Sequence, residues 1–270
     1  MIKYNYFFGS DERSVPFLST LSKKIPELKV VTTHPNRRGR GRKFLSNPVE
    51  KFCEENNINY VYFDENIIYH DMSFGIVASF SKIFPYTFLD NNSSLFNIHL
   101  SLLPKYRGPT PVENAILNNE IVTGYTVFKI DKYIDTGKII FQNKLSIENK
   151  YSSEIYKEIF QLFDVDFHDI DFQSKGTDQS QNTTLTKKFI KSDFNITTTT
   201  VNNAKIKIRA FDTLGPAFVE FNNKILKIHT YSDEENKSSI ELTDGLLYPV
   251  KVTPEGKRTM FFEDYLRGLK

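Results

Sequence analysis

Asn97 and His99 stand two residues apart in the stretch Asn97-Ile98-His99-Leu100-Ser101-Leu102-Leu103-Pro104-Lys105-Tyr106-Arg107-Gly108. The apolar run Ser94-Leu95-Phe96 ahead of them reads as a short buried strand, and on an extended chain residues i and i+2 point to one side. At the carboxyl end of a strand in an open α/β sheet, that side faces the crevice where ligands bind. A carboxamide N–H and an imidazole placed there suit acyl transfer to an amine. The carboxamide can donate to a developing oxyanion, and the imidazole can exchange protons near neutral pH. A third group must orient the imidazole, and Asp131-Lys132-Tyr133-Ile134-Asp135-Thr136-Gly137 supplies two carboxylates in a turn between strand-like segments 125–130 and 138–142.

The elements that must position these side chains follow from periodicity. Residues 3–8 read as a strand ending at Gly9-Ser10, a helix follows with Val15, Leu18 and Leu21 at three-residue spacing, and 28–33 is a second strand. Such an opening predicts a parallel, right-handed crossover. No Gly-x-Gly-x-x-Gly follows the first strand, so no dinucleotide is implied. Asn47-Pro48 caps a helix running to residue 57. Residues 59–63 and 75–80 are further strands, Leu102-Leu103-Pro104 stops the strand that carries His99, and Pro111 opens another helix. The pattern Ile155, Ile159, Leu162, Phe163 gives an amphipathic helix over 152–163. Residues 164–171 are rich in Asp but offer no second His at ligand spacing, so they read as a solvated helix end rather than a metal site. Residues 173–185 are polar and read as a linker, 197–211 as a short helix, and 218–221, 225–230, 240–242 and 246–252 as strands.

The chain has 270 residues, 35 basic against 33 acidic, and one cysteine. That length accommodates one large domain and one small one, and the balanced charge means that any nucleic-acid contact must come from local patches. A single cysteine excludes an internal disulfide and agrees with a reducing compartment. Cys53 shares the helical stripe Val49, Phe52, Cys53, Asn56 and reads as a small core residue. No basic-then-apolar leader and no apolar run near about 18 residues occurs. The expectation is therefore a cytoplasmic protein without a membrane partner, in which Asn195-Ile196-Thr197 is an accidental sequon. The most basic stretch is His34-Pro35-Asn36-Arg37-Arg38-Gly39-Arg40-Gly41-Arg42-Lys43. Its cations and glycines predict an exposed, mobile loop, either merely solvated or seeking phosphates.

Asn-x-His-x-Ser-Leu-Leu-Pro-x-x-Arg-Gly followed by Asp-x-x-x-Asp-Thr-Gly resembles the formyltransferases that use 10-formyl-tetrahydrofolate. The resemblance implies Asn97, His99 and Asp135 as the catalytic three, with no metal. It places Ser81, Ile83, Phe84 and Pro85 where the family's backbone holds the pterin ring, although the family usually has Gly at the Ser81 position. It also has Gly where Tyr133 stands, so Tyr133 either reshapes the loop or lines the folate pocket. Asp131 is either a supporting group behind the site or a turn former. Within the family, Phe8-Gly9-Ser10 with Val15-Pro16-x-Leu18 resembles methionyl-tRNA formyltransferases, as does the basic stretch with Gly39-Arg40-Gly41. By that likeness Arg37, Arg38, Arg40, Arg42 and Arg107 are acceptor contacts. Gln181-Asn182-Thr183-Thr184, Ile208-Arg209-Ala210-Phe211 and the terminal Asp264-Tyr265-Leu266 also match family elements.

The expected architecture is α/β, a Rossmann-like, mainly parallel twisted sheet with helices on both faces and a small β-rich, OB-like domain at the C-terminus. The expected domains are a catalytic domain over 1–185, a linker over 186–200 and a shortened second domain over 201–270. The second domain carries 11 basic and 10 acidic residues, too even to make it a strong nucleic-acid platform. The expected reaction is formyl transfer from 10-formyl-tetrahydrofolate to initiator methionyl-tRNA. The alternatives are an N-formyltransferase for a nucleotide-linked amino sugar, favoured by the short second domain, and a non-catalytic tRNA-binding module. Phosphoribosylglycinamide formylation fits less well, since that enzyme lacks the second domain. The sequence leaves the oligomeric state open.

Overall fold

A computed structural model describes residues 3–38, 43–92 and 94–269. The chain divides into two compact units, the first comprising 1–108, 124–144 and 159–185, the second 109–123, 145–158 and 186–270.

In the first unit β1 (Tyr4–Phe8) leads to α1 (Ser14–Lys24) and β2 (Lys29–Thr32). A short antiparallel pair, β3 (Asn36–Arg38) with β4 (Lys43–Leu45), precedes α2 (Pro48–Glu55) and β5 (Tyr60–Tyr62). Then come β6 (Met72–Val77), α3 (Tyr86–Asn91) and β7 (Leu95–His99). After α4 (Pro111–Leu117), which belongs to the second unit, β8 (Val122–Lys129) and β9 (Ile139–Ser146) complete a seven-stranded sheet of order β5-β2-β1-β6-β7-β8-β9. The first five strands pair in parallel, and β8 runs antiparallel to β7. This is the mainly parallel sheet that the alternation of strand and helix predicts.

The sheet is held by aromatic packing. Alternation puts Tyr6 and Phe8 on one face of β1, where Phe8 meets Phe84 edge-on at 5.5 Å between ring centroids and Phe63 meets Phe88 at 5.3 Å. On α1, Phe17 packs edge-on against Phe160 and Phe163 of α5 (Ser152–Asp166), at 5.1 and 5.0 Å. Such contacts add about 0.5–1.5 kcal/mol each beyond the area they bury. At α2 the Asn47 side chain accepts from the N–H groups of Val49 and Glu50, while Glu50 returns a bond to the Asn47 N–H. This is a full capping box. Cys53 is fully buried, and burial pushes its thiol up to about 11, as befits a core residue.

Three local expectations are corrected. Of the segment read as a mobile loop over 34–43, residues 36–38 and 43 lie instead in the paired strands β3 and β4, while Arg40 and Arg42 lie outside the described residues. The helix end at 164–171 is not uniformly solvated: Asp166 is buried and accepts from the Tyr125 hydroxyl and the Asn143 amide, both at 2.7 Å. Burial and that carboxylate push the Tyr125 phenol upward. The polar stretch 173–185 lacks regular structure but is not a free linker, because Gln179, Thr183 and Thr184 are hydrogen-bonded to residues 104–107, 135 and 137. At six residues, α3 is too short for a helical period to mark it in the sequence.

In the second unit α6 (Val201–Phe211) starts from the N-cap Thr200, whose hydroxyl accepts from the Asn203 N–H. It packs on an antiparallel sheet made of β10 (Ala217–Phe221), β11 (Lys224–Ser232), β12 (Ile240–Leu242), β13 (Gly245–Pro254) and β14 (Met260–Phe261), followed by α7 (Phe262–Arg267). The strand order is β10-β11-β13-β12, with β14 also paired to β13. Alternating burial along β11 and β13 matches the strand pattern of the sequence.

Candidate active site

Asn97 and His99 occupy the end of β7, at the carboxyl edge of the parallel strands. Asn97 is half-buried, and among the described residues its carboxamide has no hydrogen-bond partner. A side chain so placed is available to a ligand, since buried polar groups otherwise find protein partners. His99 is buried. Its Nε2 lies 2.8 Å from the Tyr106 carbonyl oxygen, which can only accept, so Nε2 carries the proton. Its Nδ1 faces Asp135 Oδ2 at 3.6 Å. That gap exceeds a hydrogen bond.

The turn after β7 is braced from several sides. The Thr126 hydroxyl donates to the Ser101 carbonyl at 2.6 Å and accepts from the Leu103 N–H and the Gln142 amide. The Leu103–Pro104 peptide is cis. Tyr106 takes a left-handed φ of 60°, which turns its carbonyl to His99. Gly108, at φ 100°, then aims its N–H at Asp135 Oδ2, 2.8 Å away. Left-handed residues gather at functional sites because the surrounding structure must hold them there.

Asp135 is itself left-handed, at φ 54°. Among the described residues its Oδ1 has no hydrogen-bond or ion-pair partner. Gly137 behind it is obligatory, because a Cβ there would lie 1.7 Å from the Lys129 carbonyl oxygen. Of the two roles open to Asp131, the structure shows the turn former: its Oδ1 accepts from the Tyr133 N–H and the Thr136 hydroxyl. This turn sends Tyr133 outward, 61% exposed.

Sequence reasoning missed the clamp behind these loops. Gln179 donates through Nε2 to the carbonyls of Asp135 and Gly137, at 2.9 and 2.8 Å. Its Oε1 accepts from Arg107 Nε and Nη2, at 3.1 and 2.7 Å. Thr184 accepts the Tyr106 N–H on its hydroxyl and the Arg107 N–H on its carbonyl. Two loops remote in sequence are thereby fixed to each other. Thr184 lay inside the resembling element 181–184, whereas Gln179 stands in a polar stretch with no periodic signal.

The other expected site residues spread over the same unit. Ser81 follows β6, and its N–H and hydroxyl both engage the Ser10 hydroxyl. Ile83 is 81% exposed, whereas the Phe84 ring is buried in the aromatic cluster, so only its backbone is open to a ligand. Among the described residues the backbone N–H groups of Lys82, Ile83 and Phe84 have no protein partner. Pro85 caps α3. Arg37 and Arg38 lie in β3, and Arg107 is engaged with Gln179. Among the described residues no cluster of His, Cys, Asp or Glu forms a metal site, and no helix is long and apolar enough to cross a membrane.

The formyl transferase family profile matches residues 18–165, a span that contains Asn97, His99 and Asp135. A methionyl-tRNA formyltransferase of Fervidobacterium nodosum is 30% identical over 265 residues, covering 91% of this chain and 83% of its own. Among solved structures, WlaRD, a sugar 3N-formyltransferase crystallised with dTDP and 5-N-formyl-THF, superposes with a TM-score of 0.67 at 25% identity, covering 96% of this chain and 99% of that one. The methionyl-tRNA formyltransferase of Clostridium thermocellum gives a TM-score of 0.62 at 15% identity, over 97% and 100% of the two chains, a likeness of fold. With more than half its length matched by the family profile, this chain belongs to the formyltransferase family and is an enzyme of that kind.

Proposed function

We propose that the protein transfers a formyl group from 10-formyl-tetrahydrofolate to the amino group of initiator methionyl-tRNA. The folate, when bound, supplies an activated formyl group on N10. The unpartnered backbone N–H groups of 82–84 suit the acceptor edge of a pterin ring, which supports Ser81, Ile83, Phe84 and Pro85 as its cradle. An α-amino group with a pKa of about 8 is roughly one-tenth neutral at pH 7, so it needs only modest help to attack. Asn97 donates to the oxyanion that develops at the formyl oxygen, and His99, oriented through Tyr106 and Asp135, supports the same charge. The Oδ1 of Asp135 receives the proton leaving the amine, directly or through water, and as the adduct collapses the bond from the formyl carbon to N10 breaks and a proton passes to N10, which releases tetrahydrofolate.

One observation carries the choice of acceptor. The paired strands β3 and β4 rise from the carboxyl end of β2, the edge of the parallel sheet at which Asn97 and His99 stand. The segment they hold has five cations between Arg37 and Lys43. An arginine-rich arm at that edge suits a polyphosphate backbone. A second reading, a nucleotide-linked amino sugar as acceptor, is favoured by the near full-length likeness to WlaRD.

The test offers 10-formyl-tetrahydrofolate with charged initiator tRNA or with a panel of nucleotide amino sugars, and measures folate release. The tRNA should be formylated. Arg38→Ala, Arg40→Ala and Arg42→Ala combined should raise KM for tRNA and flatten log affinity against log salt by up to about three. Turnover with a sugar alone would move the assignment to the second reading, and no turnover with either would leave a binding module.

A further inference from the structure

The second unit holds a cleft of about 660 Å³ that takes no part in the chemistry above. Its floor is set by strand register. Along β11, Leu226 and Ile228 turn into the core, so Ile225 and Lys227 face the other way. Phe218 of β10 and Thr253 of β13 pair directly with Lys227 on either side, and directly opposed residues share a face. A lysine thus stands between a phenylalanine and a threonine at the bottom of a concavity. Lys191 and Phe194 form one wall, and the Pro254-Glu255-Gly256-Lys257 turn forms another.

The chemistry of this lining is specific. Phe218 is only 9% exposed although it lies on the face opposite the core, because the cleft walls cover it. Phe194 stands beside it and is backed by Phe211, at 4.4 Å between centroids. Against this apolar side stand three ammonium groups, Lys191, Lys227 and Lys257, and one carboxylate, Glu255. Among the described residues none of the three lysines forms an ion pair. The Thr253 hydroxyl is already committed to His229 and Thr259, and Lys257 Nζ lies 5.7 Å from the Tyr265 ring centre, so Lys191 and Lys227 are the cations most open to a ligand. The volume lies within the usual range for small-molecule sites, about 300–1,000 Å³. An apolar wall facing three ammonium groups against one carboxylate fits a flat ring that carries phosphate.

We propose that this cleft binds a free mononucleotide, the base against Phe194 and Phe218 and the phosphates among Lys191, Lys227 and Lys257. The site stands apart from the choice of acceptor. The test titrates the full chain into N-methylanthraniloyl-ADP and reads fluorescence polarisation, with unlabelled ADP and a short single-stranded oligoribonucleotide as competitors. Saturable binding with a dissociation constant below about 1 mM is expected, together with displacement by ADP. Lys191→Ala combined with Lys227→Ala should weaken it at least about tenfold, whereas Arg107→Ala should leave it unchanged and so separate the cleft from the catalytic crevice. Absence of saturation, equal affinity in the double variant, or displacement by the oligoribonucleotide but not by ADP would overturn the proposal.

Discussion

The turn around His99 and the cleft of the second unit both hold polar groups open to a ligand, but they are built by opposite means. Around His99 the backbone does the positioning. Tyr106, Gly108 and Asp135 all take left-handed conformations, and Gln179 and Thr184 tie the two loops together by hydrogen bonds of 2.7–3.1 Å. In the cleft the ammonium groups stand on flexible, exposed side chains above a regular sheet. Bond making needs reacting groups held to a fraction of an ångström. Phosphate binding needs only charge nearby, and lysine supplies that from many rotamers. Substitutions at the turn should therefore act on kcat, and those in the cleft on affinity alone.

The sharpest contrast should come from Asn97→Ala. Removing an oxyanion donor should lower kcat by about 10²–10³ while folate affinity holds, read by steady-state formylation and folate titration. A variant within threefold of wild type would take Asn97 out of the chemistry. Gln179→Ala should have a smaller effect, a fall in kcat of about tenfold with KM for folate little changed, because both loops persist but lose their common clamp. If KM rose and kcat did not, the clamp would belong to binding, and the contrast between the two regions would weaken.

The smallest effect concerns His229 of the second unit. Burial, followed by the charges of Lys227 and Lys251, holds its imidazole below the ordinary value of 6.5. A depressed histidine binds fewer protons folded than unfolded, so its contribution to stability is complete above 6.5 and declines as pH falls from there to the folded value. His229→Asn should flatten the pH dependence of stability over that window, measured by denaturant unfolding. An unaltered slope would show that this histidine is not desolvated.

Much of this was legible in the sequence, for identifiable reasons. The place of Asn97 and His99 at a strand end is legible because strand periodicity fixes it locally, whereas the periodicity left Asp131 and Asp135 equal and only the family resemblance singled out Asp135. The parallel sheet follows from the alternation of strand and helix, and the helix start at Asn47-Pro48 from two adjacent residues, although the Glu50 half of the capping box shows only in the structure. What escaped depends on contacts remote in sequence. Gln179 acts 44 residues from Asp135, and Asp166 takes the Tyr125 hydroxyl bond from 41 residues away. The cleft arises from register across three strands, which no single segment contains.

The central claim is that Asp135 takes the proton while Asn97 and His99 stabilise the oxyanion, and Asp135→Asn tests it most directly. Asparagine tolerates the left-handed backbone and still accepts the Gly108 N–H, but its amide takes no proton. Single-turnover formyl transfer, with folate affinity measured in parallel, should fall at least about a hundredfold at nearly unchanged affinity. A variant that keeps a third of the wild-type rate would contradict the account.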